Sequence, residues 1–342
     1  MNKVLFVGPV ASTGGPAIKN RILVNHLQST ASVKVWNTYD RSLKARIGAI
    51  FHVLFAKQKY IIIAVSRKGR NLLYPLMLFK HRISRCHYSL VVIGGNIVAS
   101  VKTKGERKAF AKADLVTAET EGIKIELEKS LSLSNVFYLP NYKEIEGDLP
   151  QVNPESFSSP TLKFLFLSNM YDKKGVGTLL ESFKKCRKAG IPIELDYYGP
   201  ILPGLSPEIL ADIKRTEGVR YLGEVENDKV LSVMSSYHVF VFPTEHLTEG
   251  FPAVLVEAML SGLPVIASDV NYNGEIIRDG VNGFIFPRGN ADLLEEKIAW
   301  CATHREIIKE ISIKNREESK KYNAEKLIGM YKEKLRELGW PI

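Results

Sequence analysis

Short apolar runs rich in β-branched and aromatic residues recur along the chain, separated by stretches with helical spacing. Lys3–Gly8, Val33–Trp36, Tyr60–Val65 and Leu90–Ile93 read as buried strands, and so do Thr161–Leu167, Ile193–Tyr198, Val219–Gly223, Val239–Phe242 and Pro264–Ala267. Apolar residues recur at helical spacing through about Leu27, over Leu43–Ala56, over Leu72–Phe79 and from Asn227 to Ser235. Strands alternating with helices predict parallel sheets, hence an α/β protein. From about Lys143 to Pro160 the composition shifts to Pro, Ser, Asn and Glu, which reads as a linker between two domains.

The most informative stretch is VFVFPTEHLTEGFPAVLVEAMLSGLPVIASD, Val239 to Asp269. It reads as a strand, a polar loop, a helix and a second strand. Pro252 is expected just inside the helix start and Gly262 just past its end. Glu249 precedes the helix and Glu257 lies within it. Free amides near Ala253 and Val254 at the helix start favour a phosphate. From Pro252 to Glu257 the helix rises roughly 7.5 Å, about the step from a diphosphate to the ribose of the same nucleotide. One element can thus hold a nucleotide sugar end to end, with Glu249 on the sugar and Glu257 accepting from the ribose hydroxyls. Gly250, Phe251 and Pro252 would line the same path.

This stretch resembles the donor site of retaining glycosyltransferases of the GT-B fold, family 4. Their signature is a Glu, seven residues and a second Glu, in the frame EGF-P…EA-G-PV-A-D; here it stands as EGFPAVLVEAMLSGLPVIASD. The resemblance implies two Rossmann-like parallel-sheet domains facing across a cleft, with the last helix crossing back onto the first domain. The expected boundaries are 1–147 plus about 325–342 for an acceptor-side domain, and 160–324 for the nucleotide-sugar domain. Ala113–Ala118 and Val136–Asn141 fit the closing strands of the first domain. A charged helix is expected to run on to about Leu338, with Leu327, Met330, Tyr331 and Leu335 as its apolar face.

The resemblance also implies roles residue by residue. Lys174-Gly175 matches the Lys-Gly pair that meets the donor diphosphate, while Asn169 stands where an arginine is usual. The turn after the first strand, Pro9 to Ala17, is not GxGxxG; Gly14 and Gly15 take the place of the glycine-rich turn facing donor diphosphate or acceptor. Gly94-Gly95-Asn96 stands where many members have a histidine, which leaves Asn96 as a candidate partner of the donor sugar. Glu224 and Val225 fall near the turn that faces the nucleobase.

Charge adds a second theme. Residues 1–105 hold 17 Lys and Arg against one acid, Asp40, whereas the whole chain is net +10, so the remainder is net negative. A basic first half suits an anionic membrane surface or a polyanion. Around Leu43–Ala56, Arg41, Lys44, Arg46, Lys57 and Lys59 flank apolar Ile47, Ile50, Phe51, Leu54 and Phe55. Two readings stand: a lipid-facing basic helix, or, favoured, a packed helix with its stripe buried against the sheet. No helix-turn-helix, zinc or RNP pattern supports nucleic acid. No apolar run reaches the about 18 residues of a membrane span, and no signal-peptide pattern opens the chain. Cys86, Cys186 and Cys301 are scattered, which points to a reducing compartment.

No Asp-x-Asp occurs, so no diphosphate-bound metal and no cofactor are expected. The expected substrates are a UDP- or GDP-sugar and a saccharide or lipid-linked saccharide, for capsule, exopolysaccharide or O-antigen. The expected place is the cytoplasm, peripheral at the inner membrane face. A nucleotide-sugar epimerase and a non-catalytic partner subunit on the same fold are the alternatives.

Overall fold

The computed structural model describes residues 3–11, 14–38, 43–145, 149 and 154–342. The chain divides into two compact units, Met1–Glu144 with Tyr322–Ile342, and Ile145–Lys321. Within the expected linker, residues 146–148 and 150–153 lie outside the described residues, as do Ser12 and Thr13 of the first turn.

Unit 1 runs β1 (Val4–Gly8), α1 (Gly15–Gln28), β2 (Val33–Asn37), α2 (Leu43–Leu54), β3 (Tyr60–Val65), α3 (Arg67–Ser84) and β4 (His87–Val92). It continues through α4 (Lys104–Lys112), β5 (Leu115–Ala118), α5 (Glu121–Leu131) and β6 (Val136–Tyr138). Its described strands pair in parallel in the order β2-β1-β3-β4-β5-β6. β1 and β5 are buried at every position, as expected for strands covered on both faces. The chain steps one way from β1 to β2 and the other way thereafter. Right-handed crossovers therefore place α1 on one face, and α2, α3 and α4 on the opposite one.

Unit 2 runs β7 (Leu162–Leu167), α6 (Val176–Lys188), β8 (Ile193–Tyr198), α7 (Pro207–Arg215), β9 (Val219–Tyr221), α8 (Val230–Met234) and β10 (Val239–Phe242). Then come α9 (Ala253–Leu260), β11 (Val265–Ser268), α10 (Asn273–Ile276), β12 (Gly283–Phe286), α11 (Ala291–Thr303) and α12 (Arg305–Ser319). The sheet is again parallel, in the order β12-β11-β10-β7-β8-β9. Its core packs Phe164, Phe166, Leu195, Val241 and Ile266 against Phe183 of α6, Ile298 of α11 and Ile311 of α12.

The final helix, α13 (Ala324–Glu337), belongs to unit 1 and packs against α1. Its Tyr331 hydroxyl shares a 2.8 Å hydrogen bond with Ser89 Oγ of β4. The expected apolar face needs one correction. Leu327, Tyr331 and Leu335 are buried, but Met330 is 47% exposed and Ile328 fills the core in its place. The expected unbroken charged helix is also corrected: it stops at Ser319, and a short 3-10 turn, Lys320–Tyr322, separates it from α13.

Helix α3 begins at Arg67, earlier than the apolar spacing indicates. Its first turn is held by Arg70, buried in a 2.9 Å ion pair with Glu106 and bonded to Ser100. The favoured packed-stripe reading of α2 fails at three of its five positions. Ala49 and Val53 are buried and Ile50 and Leu54 half-buried, while Ile47, Phe51 and Phe55 are 54%, 61% and 65% exposed. Of the basic positions expected there, Arg41 and the side chains of Lys44 and Arg46 lie outside the described residues.

Candidate active site

In unit 2 the strand order reverses between β7 and β10, because β8 and β9 lie to one side and β11 and β12 to the other. Loops leaving the carboxyl ends of two such strands diverge and open a crevice, the place where open parallel sheets bind ligands. Ser168–Gly175 follows β7, and Pro243–Pro252 follows β10.

The backbone fastens these loops together. Gly175 has φ +72, and a Cβ there would lie 1.9 Å from the Pro243 carbonyl oxygen, so only glycine permits the approach. Glu245 N–H donates to Lys173 O at 2.8 Å, and Thr178 Oγ1 donates to the Glu245 carboxylate at 2.8 Å. The close approach brings Lys174 to the second loop, where it forms an ion pair with Glu249. Both side chains are largely shielded, at 11% and 19% exposure. Lys174 Nζ also stands 5.5 Å from the Phe242 ring centroid and 6.0 Å from that of Tyr171, within reach of cation–π attraction. Burial first, and the Glu249 charge second, raise the Tyr171 phenol above its ordinary pKa.

The Glu249 backbone is fixed from both sides. Its N–H donates to His246 O at 3.3 Å, and its carbonyl accepts from Asn271 Nδ2 at 2.9 Å. His246 Nδ1 accepts from Thr248 N–H at 3.3 Å, which puts the proton of the neutral ring on Nε2. Tyr171 and His246 meet edge to face, 6.2 Å between centroids.

Helix α9 follows. Pro252 is its N-cap, with φ −65 and ψ 116, one position earlier than expected; Ala253 is the first helical residue. The difference leaves the chemistry unchanged, since the amides of Ala253 and Val254 have no acceptor among the described residues. The helix closes in a Schellman motif: Gly262 N–H donates to Met259 O and Leu263 N–H to Ala258 O, with Gly262 at φ +73. Gly250, Phe251 and Pro252 are buried, which anchors the helix start against the unit's core. Glu257 is 8% exposed, about one turn beyond Ala253.

The other expected residues of unit 2 sit along the same carboxyl edge. Asn169 is exposed in the loop after β7. Glu224 and Val225 follow β9, where Gly199 N–H donates to Gly223 O at 2.8 Å and Tyr221 OH to Gly199 O at 3.0 Å. That links the β9 loop to the β8 turn, two strands from β7.

Gly14, Gly15 and Asn96 belong to unit 1. Gly14 is the N-cap of α1 at φ −72, and a Cβ on Gly15 would meet nothing within 4 Å. The chain's own packing therefore does not require Gly15. Asn96 is exposed beyond Gly94, whose φ of +103 does call for glycine. Sequence reasoning missed the pair behind this turn. Glu119, directly after β5, bonds Lys19 Nζ at 2.7 Å and accepts from Gly94 N–H at 3.2 Å. Both charged side chains are 4% exposed. A carboxylate placed at the carboxyl end of a parallel strand was the available signal.

Residues 161–304 match the family model described as Glycosyl transferases group 1. An uncharacterized glycosyltransferase of Methanocaldococcus jannaschii is 27% identical over 258 residues, covering 73% of this chain and 68% of that protein. The amylovoran biosynthesis glycosyltransferase AmsK of Erwinia amylovora is 27% identical over 156 residues, 42% of this chain and 38% of its own length. Among solved structures, Anabaena HepE in complex with UDP superposes with a TM-score of 0.77 at 17% identity, covering 98% of this chain and 100% of that one. The two parallel six-stranded sheets are those of the GT-B fold. The chain thus carries a glycosyl transferases group 1 domain over residues 161–304 and is an enzyme, a glycosyltransferase.

Proposed function

We propose that the chain is a retaining, family 4 glycosyltransferase that needs no metal. It moves a sugar from a UDP- or GDP-sugar to a saccharide or lipid-linked saccharide in cell-surface polysaccharide synthesis, in the cytoplasm and peripherally at the inner membrane face. One observation carries the reading. At the reversal point of the second sheet, the loop after β10 brings Glu249 to the shielded ammonium of Lys174 and leads within four residues to the helix start, with the open amides of Ala253 and Val254.

The chemistry follows from those groups. The donor diphosphate lies on the Ala253 and Val254 amides, where the helix dipole favours negative charge. Lys174 turns from Glu249 to the phosphate oxygen that leaves with the nucleotide, stabilising charge as it develops. Glu249, released, accepts from sugar hydroxyls and orients the ring; Glu257 accepts from the ribose hydroxyls. The acceptor oxygen bonds to the anomeric carbon on the face that the leaving group departs. The bond from that carbon to phosphate oxygen breaks, and the same oxygen takes the acceptor proton. Asn169, Gly250, Phe251, Pro252, Glu224 and Val225 complete the proposed donor contacts in unit 2. The UDP in the HepE structure and the polysaccharide role in the name of AmsK support the donor class and pathway.

The experiment is a thermal-shift panel of nucleotide sugars, since a ligand of the native state raises the midpoint in proportion to its affinity. The best donor is then incubated with saccharide and lipid-linked acceptors, and the product anomer is read by NMR. Retention in a new glycosidic bond is expected. Inverted product, or conversion of the donor sugar without any acceptor, refutes the reading.

A further inference from the structure

Helices α2, α3 and α4 share one face of the first sheet, with α2 packed on α3 and α3 on α4. This face leaves large apolar side chains uncovered. Ile47, Phe51 and Phe55 form a stripe along and just past α2; Leu72, Phe79 and Ile83 form one along α3, and all six are 40–65% exposed. Phe51 and Phe55 meet with tilted rings, 4.4 Å between centroids, so they present one surface. Lys80 of α3 donates to Leu54 O at 3.0 Å and Ala56 O at 2.9 Å, which pins the end of α2 beside α3.

Next to the α3 stripe is a cavity of about 460 Å³, lined by Arg82, Arg85, Lys108 and Lys112 around Leu78 and Ala111. His81 also lines it, with Nδ1 bonded to the Cys86 carbonyl at 2.7 Å. Among the described residues, no carboxylate lines this cavity. None of the four cations has a carboxylate partner among the described residues, although ion pairs are frequent elsewhere in the chain. Four like charges around one hollow repel, and a bound anion relieves them.

We propose that this face docks on a membrane carrying anionic phospholipids, with a headgroup phosphate in the Arg82–Lys112 cavity and the Phe51, Phe55, Phe79 and Ile83 side chains among the acyl chains. Cations beside exposed aromatic and aliphatic side chains are the arrangement of an interfacial surface. A free phosphate would use the cavity and leave the apolar stripes unexplained. RNA would use the charge and leave Ile47 and Ile83 unexplained. The inference gives the peripheral placement proposed above a definite surface, and it rests on none of the donor chemistry.

The test is sedimentation of the full chain with vesicles of phosphatidylcholine alone and of phosphatidylcholine with phosphatidylglycerol. Binding is expected only to the second. Arg85→Gln with Lys112→Gln should lower the partition coefficient about 30-fold, about fivefold for each cation. Lys188→Gln with Lys214→Gln, exposed positions of unit 2, removes the same charge and should leave binding intact. Phe51→Ser with Phe79→Ser should abolish the binding that survives high salt. Thermal midpoints equal to wild type establish that each variant is folded. Equal binding to both vesicle types would overturn the proposal. So would wild-type partition by the Arg85/Lys112 variant, binding of inorganic phosphate without vesicle binding, or displacement from vesicles by a single-stranded RNA.

Discussion

Replacing Lys174 by Met separates what the Lys174–Glu249 pair does for the fold from what it does for the ligand. The Lys174 side chain is 11% exposed and its partner carboxylate 19% exposed, so the pair is shielded but not fully dry. Met keeps the length of the stem beside Phe242 and Tyr171 and removes the charge. Glu249 is then left without its cation, at a cost of about 1–3 kcal/mol. Glu249→Gln in the same protein removes the stranded charge and should restore about 1–2 kcal/mol, the coupling expected of two groups in direct contact. Urea unfolding measures this on a Trp36→Phe, Trp340→Phe background, where the remaining tryptophan, Trp300 of α11, reports on unit 2. Affinity should behave differently. Losing the ammonium–diphosphate contact should weaken UDP or GDP about 10- to 150-fold, and Glu249→Gln should not restore it. Additive stability effects would refute the pairing. Unchanged nucleotide affinity in Lys174→Met would refute the catalytic assignment.

Other positions give independent checks. Gly175→Ala combines a left-handed φ with a clash against the Pro243 carbonyl; a loss of more than about 2 kcal/mol in unfolding experiments is expected, together with weakened donor binding. Gly15→Ala meets open space in the first helical turn, so stability should rise by about 0.5 kcal/mol while the Michaelis constant for donor or acceptor worsens. Burial lowers the His238 pKa from 6.5 to about 4, and its Nδ1 accepts from Lys163 N–H at 2.8 Å. Its neutral form is favoured in the fold, so its contribution is complete above pH 6.5 and declines as the pH falls toward 4. The total is about 3 kcal/mol, and His238→Asn should flatten that acid slope in denaturation curves.

Local features were readable from the chain alone. Strands of a parallel sheet buried on both faces are continuous apolar runs, so their positions follow directly from the sequence. The segment from Val239 to Asp269 is a contiguous loop and helix, so Glu249, Ala253 and Glu257 stand in sequence as they stand in space. The boundary of α9 shifted by one residue because the proline ring fixes φ alone, and ψ of Pro252 is extended at 116.

Features that depend on distant partners were hidden. Glu119 meets Lys19 across 100 positions, and Arg70 is drawn into α3 by Glu106. Helix α2 carries two apolar stripes, and periodicity does not say which one faces the sheet. The smaller side chains, Ala49 and Val53, are the ones buried, and Phe51 and Phe55 are left outside.

The placement of a diphosphate at the start of α9 is tested most directly by amide NMR. A protein labelled with ¹⁵N is titrated with UDP and GDP, and the backbone resonances of Ala253 and Val254 are followed. The account predicts that both amides move downfield as they become donors to phosphate oxygens, and that Lys174→Met sharply weakens the titration. A nucleotide that binds while both amides stay still would contradict it.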